Sequence, residues 1–172
     1  MPRYDLPNHA PEPLRLVQRL VNSVDFERDR DWLDELLAEE GVHATQAELE
    51  RARETREAIR ELLYANNRQR IEGDPHEVLR RAAEQARFTL DLEAQALAPD
   101  APGVDGLLGR VLAVVYGAMV DGTWARLKAC RNHGCRWAFY DYSRNRSASW
   151  CSMQLCGNRT KTRAYRRRHA AP

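Results

Sequence analysis

The chain has 172 residues, enough for one compact domain or a domain with a small appendage, and 43% of them are hydrophobic, enough to close a core. Its 30% of charged residues is ordinary for a helical protein in water, and no apolar run reads as long enough to cross a bilayer. The net charge of +2 conceals an asymmetry: residues 1–123 hold 15 Lys+Arg against 24 Asp+Glu, a net of −9, and residues 124–172 hold 12 against 1, a net of +11.

A basic segment of this kind takes an acidic partner, nucleic acid first, unless the acidic segment neutralises it within the fold. The opening "MPRYDLPNHAPEP" has no apolar h-region, so a secretory signal is not expected and a reducing, cytoplasmic setting is.

In chain order, "EPLRLVQRLVNSV" places Leu16, Leu20 and Val24 at helical spacing. "DRDWLDELLAEEG" follows with Trp32, Leu33, Leu36 and Leu37, and Gly41 stands where a helix would stop. Thr45 and Glu48 form a capping box for a long helix whose inward stripe is Leu49, Ala52, Ile59, Leu63 and Asn66, with Arg53 and Glu57 paired on the wet side. Asp74 as cap and Pro75 at the first helical position, with Glu77, start another helix. The period then changes: Phe88, Leu90 and Leu92 alternate with Thr89, Asp91 and Glu93, a half-buried strand for which "QALAP" is a hairpin partner. After "PDAPGVDG", the stretch "LLGRVLAVVYGAMVDG" is apolar nearly all round, as for a buried central helix capped at Gly122. Residues 1–123 hold no activated Ser or Cys, no Gly-rich phosphate loop and only scattered histidines (His9, His43, His76), which reads as a scaffold, sensor or interaction body and not an enzyme.

The last quarter carries all four cysteines as Cys130-x4-Cys135, fifteen residues, Cys151-x4-Cys156. Two pairs in short loops supply the four thiolates that tetrahedral zinc takes, so one structural Zn2+ per chain is expected, against two disulfides or four unrelated thiols. His133 is a rival ligand, though four cysteines already complete the set and leave no open position for catalysis. Between the pairs, Trp137, Phe139 and Asp141 alternate with Ala138, Tyr140 and Tyr142, and Trp150 falls on a return strand. This predicts a hairpin looped by "SRNRS" and held jointly by metal and aromatics.

After Cys156, Gly157 permits a tight turn that brings amides to the thiolates, and Asn158 caps a helix starting at Arg159. That helix is basic on both faces: Arg159, Arg163 and Arg166 on one, Lys161, Tyr165 and Arg168 on the other. It has no core to bury in, so it takes a polyanion or stays in solvent.

"CRNHGC", "FYDYSRNRSASWCSM" and "CGNRTKTRAYRRR" together resemble the CGNR zinc finger, named for the residues standing here as Cys156, Gly157, Asn158 and Arg159. The preceding region, through "LVNSVD" and its order of helix, hairpin and helix, resembles the ABATE domain that accompanies this finger in bacterial proteins described as stress-induced transcription regulators. Where that family commonly has a basic residue before the Trp-Cys, this chain has Ala148-Ser149, which leaves phosphate contact to Arg144, Arg146 and the C-terminal helix.

The resemblance implies an α+β, mainly helical protein: a helix-rich domain with a small β-hairpin over 1–123, then a treble-clef-like zinc module with a hairpin and a basic helix over 124–172. It implies a DNA-binding regulator of bacterial transcription contacting double-stranded DNA through Arg144, Arg146, Arg159, Lys161, Arg163, Arg166, Arg167 and Arg168, the last three at phosphates. RNA binding, with Tyr140, Tyr142 or Trp150 stacking on bases, and a zinc-stabilised protein-interaction module are the alternatives. No membrane partner is expected, and the N-terminal domain leaves a homodimer or a small-molecule effector open.

Overall fold

The computed structural model describes residues 8–169, with the side chains of residues 163–168 outside that description. The sequence readings on residues 1–7 and on the side chains of Arg163, Tyr165, Arg166, Arg167 and Arg168 therefore lie outside the described residues. Among those described, six helices and three two-stranded antiparallel sheets make an α+β fold in which helix predominates.

Helix α1 (Leu14–Val21) buries Leu14, Val17, Gln18, Leu20 and Val21. The inward stripe is thus shifted from the expected Leu16, Leu20 and Val24. The helix ends at Val21, where the Ser23 hydroxyl turns back to donate to the Leu20 carbonyl at 2.8 Å, and Val24 passes into a strand. Strands β1 (Val24–Asp25) and β2 (Arg30–Asp31) form a short hairpin that the sequence reading did not anticipate. Its turn is organised by the buried Asp25 carboxylate, which accepts from the Glu27 and Arg28 amides at 3.0 and 3.2 Å.

Helix α2 (Leu33–Glu39) follows and stops before Gly41, whose φ of 74° is the left-handed conformation expected after a helix. Helix α3 (Gln46–Asn66) opens with the Thr45–Glu48 capping box and buries Leu49, Ala52, Ile59 and Leu63. Its expected Arg53–Glu57 pair does not form: Arg53 reaches Asp31 and Glu50, and Glu57 receives Arg56 and Arg60. Arg60 is drawn inward because it has backbone to serve, donating to the Val21 and Arg136 carbonyls at 2.7 and 2.9 Å.

Helix α4 (Pro75–Ala86) is capped by Asp74, which accepts from the Glu77 amide at 3.1 Å. Strands β3 (Phe88–Asp91) and β4 (Ala96–Pro99) pair as expected, Leu90 opposite Leu97. Their apolar face, however, is only partly covered, and Leu90 is 67% exposed.

Helix α5 (Gly103–Val120) runs through the body and buries Val104, Leu107, Leu108, Val111, Val115 and Ala118. Two expectations need correction here. By length and composition α5 is apolar enough to cross a bilayer, contrary to the sequence reading, and it is not buried all round: less than half of it (44%) is inside the fold, with Tyr116, Met119 and Val120 outside.

The basic segment enters through a 3₁₀ turn (Trp124–Arg126) and strand β5 (Leu127–Ala129), which pairs with β6 (Ala138–Tyr140), Leu127 opposite Tyr140 and Ala129 opposite Ala138. The hairpin therefore brackets the first cysteine pair, where a hairpin between the two pairs was expected. Residues 127–129 supply a fully buried strand, Leu127 and Ala129 in the apolar core with Lys128 between them, while the "SRNRS" stretch closes as a loop around the buried Asp141. Asp141 accepts from Lys128 Nζ at 2.7 Å, the Ser143 amide at 2.9 Å and the Ala148 amide at 3.0 Å.

Packing continues across the charge boundary at residues 123 and 124. Trp124, Leu127, Ala129, Ala138 and Tyr140 belong to the same core as Leu20, Leu63 and Val111 of the helices. Each large apolar side chain sealed there contributes about 1.5–3 kcal/mol. The alternation along β6 is a division of labour: Ala138 and Tyr140 face the helical core, Trp137 and Phe139 a second cluster containing the cysteines.

Candidate metal centre

The first knuckle is the turn between β5 and β6. Cys130 continues β5, its amide donating to the Trp137 carbonyl at 2.9 Å, and the Cys135 and Arg136 amides fold back onto the Asn132 carbonyl at 2.8 and 3.1 Å. The second knuckle is a π-helical turn (Met153–Gly157) beginning just after Cys151. The Ser152 side chain caps it, accepting from the Leu155 amide, and the Ser152 carbonyl accepts from the Cys156 and Gly157 amides at 3.0 Å each.

The Gly157 amide thus goes to Ser152 and not to a thiolate. Space there is tight: a Cβ would stand 2.6 Å from Met153 Sδ, which would have to swing aside, and 3.2 Å from Trp150 Cδ1. Asn158 is already helical (φ −66°, ψ −42°), so helix α6 (Asn158–His169) leaves the second knuckle directly, one residue before the expected start.

The two knuckles bring Cys130, Cys135, Cys151 and Cys156 together, every sulfur within 4.8 Å of every other and every residue buried. The Cys135–Cys151 and Cys151–Cys156 sulfurs are each 3.6 Å apart. A disulfide needs ~2.05 Å, whereas sulfurs at the corners of a tetrahedron about a metal bonding at ~2.3 Å stand ~3.8 Å apart. All four are free cysteines, so the disulfide alternative is excluded and the spacing fits a shared ion. His133 is exposed and outside the group.

The sulfurs restrain one another's ionisation. Hydrogen bonds from Cys135 and Cys151 hold the Cys130 thiol well below its ordinary value, and the bonds to Cys130, with burial, push Cys135 and Cys151 up. A divalent cation is what lets four such thiols ionise together. The surroundings suit the negative charge that results: Asn132, itself buried, donates Nδ2 to the Cys156 sulfur at 3.5 Å, and the Asn132 and Cys151 amides point at the Cys130 sulfur. Four protein thiolates fill a tetrahedral shell and leave no position for a water, so the bound ion holds structure.

The helical body grips this module by its backbone. Asn22 makes a two-way bond with Ala138, donating Nδ2 to its carbonyl at 2.9 Å and accepting from its amide at 2.7 Å, as a third strand would. Gln18 Nε2 adds 3.1 Å to the same carbonyl. Asn67 Nδ2 donates to the Ala129 and Ser149 carbonyls at 2.6 and 3.0 Å, and its own carbonyl receives the Arg131 guanidinium at 2.7 Å. The Arg60 and Arg136 guanidinium groups stack on the Phe26 ring at 5.0 and 4.8 Å. Sequence reasoning passed over Gln18, Asn22, Asn67 and Asn132. Their one signal was polar amides at positions flanked by core apolar residues or metal ligands.

The expected nucleic-acid contacts are scattered round the centre. Arg144 and Arg146 are exposed on the loop after β6, and Arg159 and Lys161 are exposed on the first turn of α6. Arg159 is not free: its guanidinium meets Glu27, in the β1–β2 turn, at 2.8 Å. Among the described residues Arg144, Arg146 and Lys161 form no ion pair. The backbone of α6 extends the basic run past residues 163–168.

A buried four-cysteine cluster on two knuckles is a zinc-finger-type site, suited to one structural Zn2+. Residues 126–169 match the family model of the CGNR zinc finger. No curated protein matches the chain.

Proposed function

We propose that the chain is a bacterial DNA-binding transcription regulator, in which the zinc centre anchors a basic helix for double-stranded DNA and the helical body, ABATE-like, serves sensing or interaction. It acts in the cytoplasm, as a binding protein and not as an enzyme. The observation that carries this reading is the state of the basic segment. Of 13 charged residues in 124–172, the one acid, Asp141, is consumed internally by Lys128, while Arg144, Arg146 and Lys161 stay exposed and unpaired within the described residues. Helix α6 grows directly from the second knuckle with no acidic residue in its first turn. A helix of this size suits the major groove, where Arg reads guanine, and the surrounding cations suit phosphates.

RNA stacking is less favoured. Tyr140 is buried and Trp150 packs on the cysteine cluster, which leaves Tyr142 as the exposed ring. Selection from a pool of random duplexes with the purified, zinc-loaded protein at near-physiological salt tests the proposal. An enriched motif supports it. A folded, metalated protein that enriches nothing would move the RNA and protein-docking readings ahead.

A further inference from the structure

Helix α5 contains three interior glycines, and two are explained by the fold. A Cβ on Gly106 would lie 2.1 Å from the Ala101 carbonyl oxygen, and one on Gly109 would lie 2.5 Å from Pro99 Cβ and 2.8 Å from Ala86 Cβ. Gly117 is different: a Cβ there would meet nothing within 4 Å. Glycine in a helix interior is unfavourable relative to alanine, and nothing within the described chain needs the missing side chain at this position.

The surroundings of Gly117 are an apolar groove of about 730 Å³ between α5, the β3–β4 hairpin and the segment around Pro11, with Leu90, Leu97, Ala113, Tyr116 and Val120 among its walls. Leu90, Tyr116 and Val120 are 67%, 57% and 72% exposed. The alternation of Phe88, Leu90 and Leu92 is the pattern of a strand with one buried face, yet Leu92 is also exposed. A helix stripe and a strand face, both patterned for burial, thus end at one groove that the described residues do not fill.

The charges at the two ends of the groove indicate the occupant. Arg110 and Asp121 both line it, about three turns apart on one side of α5. Arg110 is half exposed and holds Glu40 only at 3.5 Å. In a two-fold pair a surface meets itself reversed. Laid antiparallel on its own copy, α5 would bring Arg110 against Asp121 of the partner subunit, and the reverse, with Ala113 and Gly117 flanking the crossing where the backbones approach. We infer that this groove is a homodimer interface built on antiparallel α5 helices, with Gly117 as the point of closest approach. The inference does not depend on what α6 binds.

Sedimentation equilibrium of the full, zinc-loaded chain across the micromolar range tests it. The native protein should be a dimer, and Gly117→Lys should weaken it by roughly tenfold or more. At concentrations dilute enough for both chains to be monomeric, melting of the fold should not fall in that variant, because the added Cβ meets nothing within 4 Å and lysine is a better helix former than glycine. Val120→Glu, at an exposed position on the same stripe, should act alike. A native chain that is monomeric throughout, or a dimer that survives both substitutions, would overturn the interface.

Discussion

Replacing Asn22 by alanine tests whether the helical body completes the metal module. Asn22 and Ala138 are both fully buried, and the Asn22 amide satisfies both backbone groups of Ala138, at 2.9 and 2.7 Å. In the Asn22→Ala chain the Ala138 carbonyl keeps the Gln18 amide at 3.1 Å, so the orphan is the Ala138 N–H. An unsatisfied buried N–H together with the lost side-chain packing costs about 2–3 kcal/mol. For a chain of this length that lowers Tm by roughly 4–12 °C. Because β6 leads directly from Cys135, metal affinity should fall with it. Urea titrations of the zinc-loaded protein, with a competitive chelator assay beside them, measure both. Gln18→Ala supplies a sharper arm: the double variant leaves both groups of Ala138 unpaired and should cost more than the two single losses added. A single-variant loss under about 0.5 kcal/mol, the range of ordinary surface changes, would refute the third-strand reading of Asn22.

Cys151→Ser should reduce metal content from one per chain to a weak or empty site. Because the helices share their core with β5 and β6, far-UV circular dichroism and tryptophan fluorescence should show helices and finger destabilised together; full stability retained would sink structural zinc. Lys128→Met removes one member of a pair that is 5% and 0% exposed and should cost about 3–5 kcal/mol by chemical denaturation. Burial pushes the Asp141 carboxyl up, but hydrogen bonds from Lys128 and Ser143 outweigh it and hold the group below its ordinary value. Its contribution is therefore complete above about pH 4 and fades as pH falls further, so the acid limb of stability against pH should be shallower in Lys128→Met. For duplex binding, Arg144→Ala and Lys161→Ala should each reduce the slope of log affinity against log salt by about 0.9 if each contacts one phosphate; an unchanged slope removes that residue from the interface.

Features that depend on a few neighbouring residues were legible. The Thr45–Glu48 and Asp74–Pro75 helix starts and the β3–β4 hairpin stand where their sequence signals put them. The four cysteines converge because each pair closes its own short turn, a local property that spacing reveals. The partner of β6 was not legible. Leu127–Ala129 is too short to display a period, and its identity as a strand comes from burial against α3 and from pairing across the knuckle. The inward Arg60 and Asn67 were hidden for a related reason: a polar residue that serves another segment's backbone looks from sequence like any solvated one. Alternation in 137–142 announced a strand, but not that both of its faces would be buried, in different clusters.

How the acidic body and the basic finger hold together bears on what the finger is free to do. Opposite net charges of −9 and +11 invite mutual neutralisation. The junction is nevertheless built from hydrogen bonds to carbonyls, donated to the finger by the side-chain amides of Gln18, Asn22, Asn66 and Asn67 and by Arg60, and to the body by Arg131, beside a continuous apolar core. The Arg159–Glu27 ion pair lies at its rim with both side chains about half exposed, where such pairs contribute at most about 1 kcal/mol. Hydrogen bonds to carbonyls and buried carbon are little affected by ionic strength, whereas phosphate contacts are strongly weakened by it. Raising salt should therefore strip nucleic acid from the finger while the midpoint of urea unfolding stays nearly fixed. A midpoint that drops in parallel with binding would mean that charge, and not the amide ladder, docks the finger, and that the cations are already spent within the fold.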